Sequence, residues 1–185
     1  MDQQYIDKVL AGDRDSFRYF LQKYQDMVFS VAMSIVKNES LAEEVAQDAF
    51  VKCYHKLDTF NQQSKFSSWL YRIVVNTAFM QLRKIKIEVL DFQSDYDKEV
   101  IDESDLTLLE EEERSQMINE ALCLLPANES LALRLFYLEE ESIKEVSIIT
   151  GWTDANTRVI LHRGRKRMYA ILKELMNKAN VEHGK

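Results

Sequence analysis

The chain has 185 residues, of which 46% are hydrophobic and 30% are charged, a balance typical of globular proteins with one core or two small ones. A single Pro and four Gly leave little of the turn chemistry on which β-hairpins depend, so we expect an all-α fold. The net charge of −7 is concentrated in one block, because residues 88–113 contain 12 Asp/Glu and only one Lys/Arg.

Several classes of function lack their usual signatures. Cys53 and Cys123 have neither paired spacing nor a clustered His, and no Ser/His/Asp, G-x-x-x-x-G-K or H-E-x-x-H arrangement occurs. We therefore predict no catalytic residue, metal site, cofactor or small-molecule substrate, and a protein that is not an enzyme. The start lacks a signal peptide, and the longest uncharged apolar run, residues 27–36, is far short of the roughly 20 residues that span a bilayer, so we expect a cytoplasmic protein.

The acidic block predicts a linker. It has no sustained helical periodicity over most of its length, and like charges at that density repel one another in a compact form. We predict two small helical domains, residues 1–87 and 114–185, joined by the linker at 88–113. Each domain contains an acid-free basic run, at residues 59–87 and 155–173. A polyanion that contacts both domains would explain this, since Lys and Arg that neutralise phosphates release counterions; the alternative is two solvated faces.

Two amphipathic patterns predict the first helices. Apolar residues at steps of three and four run from Phe17 to Ile35, with Asp15 as the expected N-cap. The next helix opens at S-L-A-E, where Ser40 and Glu43 form a capping-box pattern. Its apolar face is Val45, Ala49, Cys53 and Leu57. Its outer face is charged, which on chemistry alone indicates a solvated face more often than a partner-binding one.

A third helix is predicted over K-F-S-S-W-L-Y-R-I-V-V-N-T-A-F-M-Q-L-R-K, residues 65–84. Its core face is Leu70, Ile73, Val74 and Thr77, which leaves on other faces Trp69, Tyr71, Arg72, Asn76 and Arg83. Aromatic residues interleaved with basic ones suit single-stranded nucleic acid, because bases stack on the rings. An Asn in mid-helix is disfavoured unless its amide binds something. The alternative is that the aromatics pack against the loop at residues 60–65.

The second domain contains a helix-turn-helix pattern. Pro126 ends one helix, and another is predicted over residues 129–138. Ser142 and Glu145 form a capping box, Gly151 marks a sharp turn, and a basic helix begins at Thr153 or Asp154. Inward positions on that helix are Thr157, Leu161, Met168 and Leu172. A helical hairpin with a basic rim is the alternative, and contacts to phosphate are expected for the last basic residues of the run.

Taken together, these motifs resemble the extracytoplasmic-function (ECF) sigma factors of the sigma-70 family. The matching runs are A-E-E-V-A-Q-D-A-F at 42–50, L-D-T-F at 57–60, F-S-S-W-L-Y-R-I-V-V-N at 66–76, L-P at 125–126 and H-R-G-R-K-R at 162–167. The resemblance implies a factor that binds core RNA polymerase, directs it to promoters with −35 and −10 elements and helps to open the DNA. It also implies an anti-sigma factor, often membrane-anchored, that holds the protein inactive.

The resemblance implies three groups of site residues. Binding to core polymerase, through the β′ clamp helices, falls on Glu43, Glu44, Gln47, Asp48 and Val51; a contact with the β subunit is also implied. Binding of the −10 element as a single strand falls on Phe60, Lys65, Phe66, Trp69, Tyr71, Arg72, Asn76 and Arg83. Binding of the −35 element as a duplex falls on Arg158, Val159, His162, Arg163, Arg165, Lys166 and Arg167.

Some positions depart from the family pattern, and two other functions compete. Ser130 and Phe136 occupy places that are often basic, and Glu140 a place that is often Gly, which weakens the expected phosphate contacts. A stand-alone helix-turn-helix regulator would use only the second domain and would leave the run from Trp69 to Asn76 unexplained. A helical adaptor that binds only protein would tolerate replacement of Asn76.

Overall fold

The structure is a computed structural model that describes residues 2–88 and 111–183. These residues are helical with short connections and contain no strand, which confirms the all-α prediction. The described helices are α1 (Asp2–Leu10), α2 (Arg18–Val36), α3 (Glu39–His55), α4 (Phe66–Glu88), α5 (Glu111–Leu124), α6 (Ala127–Leu133), α7 (Ile143–Thr150) and α8 (Asp154–His183). Most of the predicted acidic linker, residues 89–110, lies outside the described residues.

Helices α2, α3 and α4 pack on one another and form the core of the N-terminal half. The stripe predicted on α2 is buried, with Phe20, Val28 and Val31 fully enclosed, except at Leu21, which was predicted to belong to it and is 39% exposed. The predicted apolar face of α3 is buried as well, including Cys53. Because each helix hides one face against the other two, the opposite faces of α3 and α4 remain for solvent or for partners.

Two predicted helix starts are wrong. Asp13, not Asp15, caps the chain before α2: its carboxylate accepts a hydrogen bond from the Ser16 backbone N–H and starts a 3-10 turn over Arg14–Phe17. The capping box at Ser40 does not form, because α3 already begins at Glu39 and the Asn38 side chain accepts from the Leu41 backbone N–H at 3.0 Å. The mispredicted caps, Asp15 and Ser40, each have Ser, Asp or Asn residues close by, and several of these side chains can cap a helix.

The C-terminal half forms as predicted, with one irregular segment. Pro126 separates α5 from α6, and the helix predicted over 129–138 is α6 followed by a π-helical turn at Arg134–Leu138. The capping box of Ser142 and Glu145 starts α7. Gly151 ends α7 with φ of 78°, a left-handed conformation that glycine adopts without steric cost.

The two halves contact each other directly. Helix α2 packs on α6, and α4 packs on α7. One apolar cluster runs through both halves and includes Leu131, Leu135, Val146 and Ile149 from the C-terminal side. A smaller cluster around Leu161 lies between α5, α6 and α8. Within the described ranges, no helix combines the length and the apolar character that crossing a membrane requires.

Candidate nucleic-acid interface

Helix α4 presents a continuous exposed stripe. Arg72, Asn76, Met80 and Arg83 follow one another at steps of four, four and three, and all are exposed. Trp69, half-buried, lies one turn before Arg72 on the same side. The predicted core face is buried at Leu70, Val74 and Thr77 and half-buried at Ile73. The side-chain amide of Asn76 makes no hydrogen bond to any described residue, so both of its donors and its acceptor face solvent.

Two residues predicted to face a DNA strand are buried instead. The prediction that Tyr71 lies on an outward face is wrong: it is 3% exposed, and its hydroxyl donates to Glu139 Oε2 at 2.5 Å. Burial, with the hydrogen bond to Glu139, raises the pKa of Tyr71. Phe66 is 4% exposed, because its ring packs against Phe20 and Tyr24 inside the N-terminal half.

The aromatic residues at the start of α4 form one cluster with the loop before it. The rings of Phe60, Phe66 and Trp69 lie in mutual contact, with centroids 5.4–5.6 Å apart. The sequence also allowed the alternative that these aromatics pack against the loop at 60–65. Phe66 and Trp69 do contact one residue of that loop, Phe60. Phe60 and Trp69 nevertheless remain partly exposed, and Lys65 is exposed beside them. A half-open aromatic cluster next to a cation is a surface on which a base can stack.

The outer face of α3 is exposed over its length. Its residues are Glu43, Glu44, Gln47, Asp48 and Val51, and all five are exposed. Val51 is an apolar side chain with 56% exposure amid charged neighbours. Between α3 and α4, a shallow groove is lined by Glu44, Asp48, Thr77 and Gln81. An isolated apolar residue within an acidic helical face can bind a basic helical partner.

Helices α7 and α8 form a helix-turn-helix held by buried polar contacts. The hydroxyls of Ser147 and Thr157 lie 2.9 Å apart and join the two helices. Thr153, rather than Asp154, caps α8 by accepting from the Asn156 backbone N–H. Thr157 and Leu161 are buried as predicted, which orients the first turns of α8 outward. The exposed residues of those turns are Arg158, Val159, His162 and Arg163.

The last basic residues of the run divide into two kinds. Lys166 is exposed. Arg167 instead points inward: its Nη1 lies 2.8 Å from Oε1 of Glu129, whose side chain is 9% exposed. Arg165 is exposed but hydrogen-bonded, donating to the Leu161 carbonyl and to the Tyr137 hydroxyl. Sequence reasoning gave all three the same role, because the pairing with Glu129, 38 positions away, leaves no local signal.

A polar contact between the halves escaped the sequence analysis altogether. Besides the pair of Tyr71 with Glu139, Ser68 Oγ donates to Glu141 Oε1 at 3.3 Å and Lys65 Nζ lies 3.9 Å from Glu145 Oε1. Burial, aided by the neighbouring Glu145 carboxylate, raises the pKa of Glu141. The run E-E-E at 139–141 was the only local hint, and it reads equally well as a solvated turn.

A half-buried cation, Lys37, makes another contact between the two halves. Lys37, in the left-handed position after α2 with φ of 56°, donates from Nζ to the Leu122 carbonyl of α5 at 2.5 Å. Burial lowers the pKa of Lys37 to about 8.

Among the described residues, no group of three His, Cys, Asp or Glu side chains is arranged to hold a metal ion.

Comparison with known proteins places this geometry in a family. The family model for sigma-70 region 2 matches residues 20–86, and that for sigma-70 region 4 matches residues 115–168. The ECF RNA polymerase sigma factor SigW of Bacillus subtilis is 30% identical over 95% of this chain and 98% of its own. The chain belongs to the ECF sigma factor family. As a member, this sigma factor directs RNA polymerase to promoters for the initiation of transcription.

Other relatives agree with the assignment. The ECF RNA polymerase sigma-E factor of Escherichia coli K12 is 31% identical to this sigma factor over 89% of this chain and 91% of its own. Among solved structures, the sigma factor RpoE of Bartonella quintana, in complex with the anti-sigma factor NepR, aligns with a TM-score of 0.65 and 24% identity over 85% of this chain and 96% of that one. CnrH, in complex with the cytosolic domain of CnrY, aligns with a TM-score of 0.62 and 18% identity over 94% and 97% of the two chains. The two solved structures support the fold.

Proposed function

We propose that this sigma factor uses residues 1–87 to bind core polymerase and to capture the −10 element, and residues 114–185 to bind the −35 element. The observation that carries the proposal is the α4 stripe, in which Asn76 lies between two exposed arginines and its amide hydrogen-bonds to none of the described residues. Cations there attract a phosphate backbone, and an unpaired amide can hydrogen-bond to the edge of an unstacked base. Residues 88–113 are proposed to be the linker between the two domains.

The −10 site consists of the exposed residues on and next to α4. Arg72 and Arg83 are proposed to follow the backbone of the opened strand, Asn76 to contact a base, and Phe60 with Trp69 to provide the stacking surface. Lys65 adds a cation at the start of this surface. Phe66 supports the cluster from beneath rather than contacting DNA, since it is buried against the core.

The −35 site is the exposed side of the first turns of α8. Arg158, Val159, His162 and Arg163 are proposed to enter the major groove of duplex DNA, as the second helix of a helix-turn-helix does. Lys166 is proposed to contact phosphate at the edge of the groove. Arg165 can still reach phosphate, whereas Arg167 is assigned to folding through its pair with Glu129.

Protein partners are proposed for two other surfaces. The acidic face of α3, with Val51 at its end, is proposed to bind the β′ clamp helices of core polymerase, and a contact with the β subunit is proposed as well. An anti-sigma factor, either soluble or membrane-anchored, is proposed to restrain the protein. RpoE of Bartonella quintana is in complex with the anti-sigma factor NepR, which supports the proposal by similarity of fold. The protein is proposed to act in the cytoplasm, without a covalent reaction of its own and without a cofactor.

Run-off transcription with purified core polymerase on a library of genomic promoters tests the proposal. We expect initiation only when core polymerase and this chain are both present. Asn76→Ala and Arg163→Ala should each lower the amount of product by about fivefold or more, since each removes a contact worth roughly 1–3 kcal/mol. Asn177→Ala, at an exposed position near the end of α8, is the matched control. Core-independent binding to a specific duplex would favour the stand-alone regulator. Unchanged activity of both variants would favour the adaptor.

A further inference from the structure

The acidic segment at residues 139–145, hereafter the acidic corner, lies against the N-terminal part of α4. Four of its seven residues are Glu. Three of them contact α4 or the residue before it: Glu139 accepts from Tyr71, Glu141 from Ser68, and Glu145 lies beside Lys65. The residues contacted on the α4 side are Lys65, Ser68 and Tyr71. They are spaced three apart and therefore lie along one side of the helix.

This arrangement places carboxylates beside the hydroxyl and ammonium groups of Lys65, Ser68 and Tyr71. The segment from 59 to 87 contains no acid, so the carboxylates that face this side of α4 come from the other half of the protein. Carboxylates and phosphates are recognised by the same donors, namely hydroxyls and ammonium groups. In the closed arrangement the hydroxyls of Ser68 and Tyr71 are already hydrogen-bonded and both residues are buried, while the exposed Lys65 lies beside Glu145.

The contact is poorly suited to a purely structural role. Glu141 is 4% exposed, and its Oε2 makes no hydrogen bond within the described part of the chain. A buried carboxyl oxygen without a partner destabilises the packing around it. Glu140, between the two contacting residues, has φ of 54°, a left-handed conformation that is unfavourable for any residue with a Cβ. An interface with these costs can open more readily than one built on apolar side chains alone.

We propose that the acidic corner is an internal competitor of nucleic acid: it occupies the Lys65–Tyr71 side of α4 in the free protein and leaves when a DNA strand binds there. The inference rests on the proposed assignment of α4 to the −10 strand. The closed arrangement leaves Arg72, Asn76 and Arg83 accessible for a weak first encounter. Displacement of the corner then frees Lys65, Ser68 and Tyr71. The apparent affinity of the free protein for a single strand is therefore the affinity of the open form multiplied by the fraction of molecules that are open.

Zero-length carbodiimide coupling of the wild-type protein tests the closed contact without a mutation. The reagent joins an ammonium group to a carboxylate that is in contact with it, so peptide mapping should find Lys65 linked to Glu145. Lys23 and Asp2, whose Nζ and Oδ1 are 2.5 Å apart within the first domain, provide the internal reference. We expect both links in free protein, and loss of the Lys65–Glu145 link alone when a single strand carrying the −10 sequence recovered from the transcription screen is added. A reference link without the Lys65–Glu145 link in free protein overturns the proposal.

Affinity for the same labelled single strand tests the consequence. Glu139→Ala combined with Glu141→Ala should bind about three- to tenfold more tightly than wild type, because it removes two of the three contacts that hold the corner on α4. Glu174→Ala, an exposed acid on α8, changes charge without touching the corner and should bind nearly like wild type. Circular dichroism confirms that each variant is helical, and the coupling experiment does not depend on the variants.

Two outcomes separate the competitor from the −10 assignment. If Asn76→Ala weakens strand binding while the double variant binds no tighter than wild type, the competitor proposal is overturned and the −10 assignment stands. If Asn76→Ala binds like wild type, the −10 assignment fails, and with it the competitor. Tighter binding by the double variant together with weaker binding by Asn76→Ala supports both.

Discussion

Replacing Arg167 by alanine is expected to destabilise the C-terminal half of the protein rather than to weaken DNA binding directly. The guanidinium lies 2.8 Å from Glu129 Oε1, and the Glu129 side chain is only 9% exposed. Its second oxygen, Oε2, already lacks a hydrogen-bond partner in the described part of the chain. Removal of Arg167 therefore leaves a carboxylate that is buried between α6 and α8 without a counter-charge.

The size of the effect follows from burial. Removing one partner of a fully buried pair costs about 3–5 kcal/mol. The Arg167 side chain keeps 30% exposure, so water partly replaces it, and we expect a loss of about 2–3 kcal/mol. For a chain of this size that corresponds to a decrease in Tm of about 4–12 °C. Thermal denaturation followed by circular dichroism measures it.

Two further variants decide between folding and DNA contact. Lys166→Ala removes an adjacent exposed cation and should change stability by no more than about 0.5 kcal/mol. Glu129→Gln introduced into Arg167→Ala should recover part of the lost Tm, because a neutral amide tolerates burial better than a carboxylate. If Arg167→Ala keeps the wild-type Tm and loses affinity for a −35 duplex, Arg167 is a phosphate contact and the reasoning from its burial is refuted.

Three other predictions concern stability, pH and thiol reactivity. Glu140→Gly should raise the free energy of unfolding by about 0.5–1 kcal/mol. Glycine removes the backbone strain of a left-handed residue at φ of 54°, and this gain exceeds the added conformational entropy of the unfolded chain. Glu140→Ala keeps the strain and should not raise the free energy of unfolding. Burial lowers the pKa of Lys37 to about 8, so the folded state binds fewer protons than the unfolded state between pH 8 and 10.5. The contribution of Lys37 to stability should therefore become more favourable as pH rises through that window. Denaturant titrations of wild type and Lys37→Met at pH 7.5 and 9.5 should show the wild type gaining on the variant. Burial raises the pKa of Cys53 to about 12, so a thiol reagent at pH 8 should modify Cys123 in the native protein and reach Cys53 only on unfolding.

A specific result would contradict each of these three predictions. Equal stability of the glycine and alanine variants at position 140 would show that backbone strain is absent there. A difference between wild type and Lys37→Met that does not change with pH would show that Lys37 titrates as it does in the unfolded chain. Rapid modification of Cys53 in folded protein would show that the core of α3 opens in solution.

The sequence was sufficient for the helices whose ends and faces are defined locally. The stripes on α2, α3 and α4 follow from apolar periodicity, and the capping box of α7 and Gly151 after it are short-range signals that the structure confirms. The errors at Asp15 and Ser40 arose where several capping side chains stand close together, because propensity alone does not choose among them. Helix α1 was not predicted, since a helix of nine residues carries few periodic positions.

Long-range pairings explain what sequence reasoning could not reach in the candidate site. Tyr71 and Arg167 both lie in basic runs, and no neighbouring residue indicates that either is paired with a carboxylate. The partners, Glu139 and Glu129, are distant along the chain and come close only through the packing of α4 and α8 on the C-terminal helices. The exposed residues Arg72, Asn76 and Arg83 were predictable, because their spacing places them opposite the core face of one helix.

Opening of promoter DNA by α4 is the central claim, and fluorescence of 2-aminopurine placed at the −10 element measures it most directly. On a promoter recovered from the transcription screen, polymerase with the wild-type protein should raise the fluorescence as the base leaves the stack. With Asn76→Ala, polymerase should still bind the promoter in a mobility shift but give little rise, whereas Asn177→Ala should match wild type. A full rise with Asn76→Ala would contradict the assignment of the melted strand to the α4 stripe.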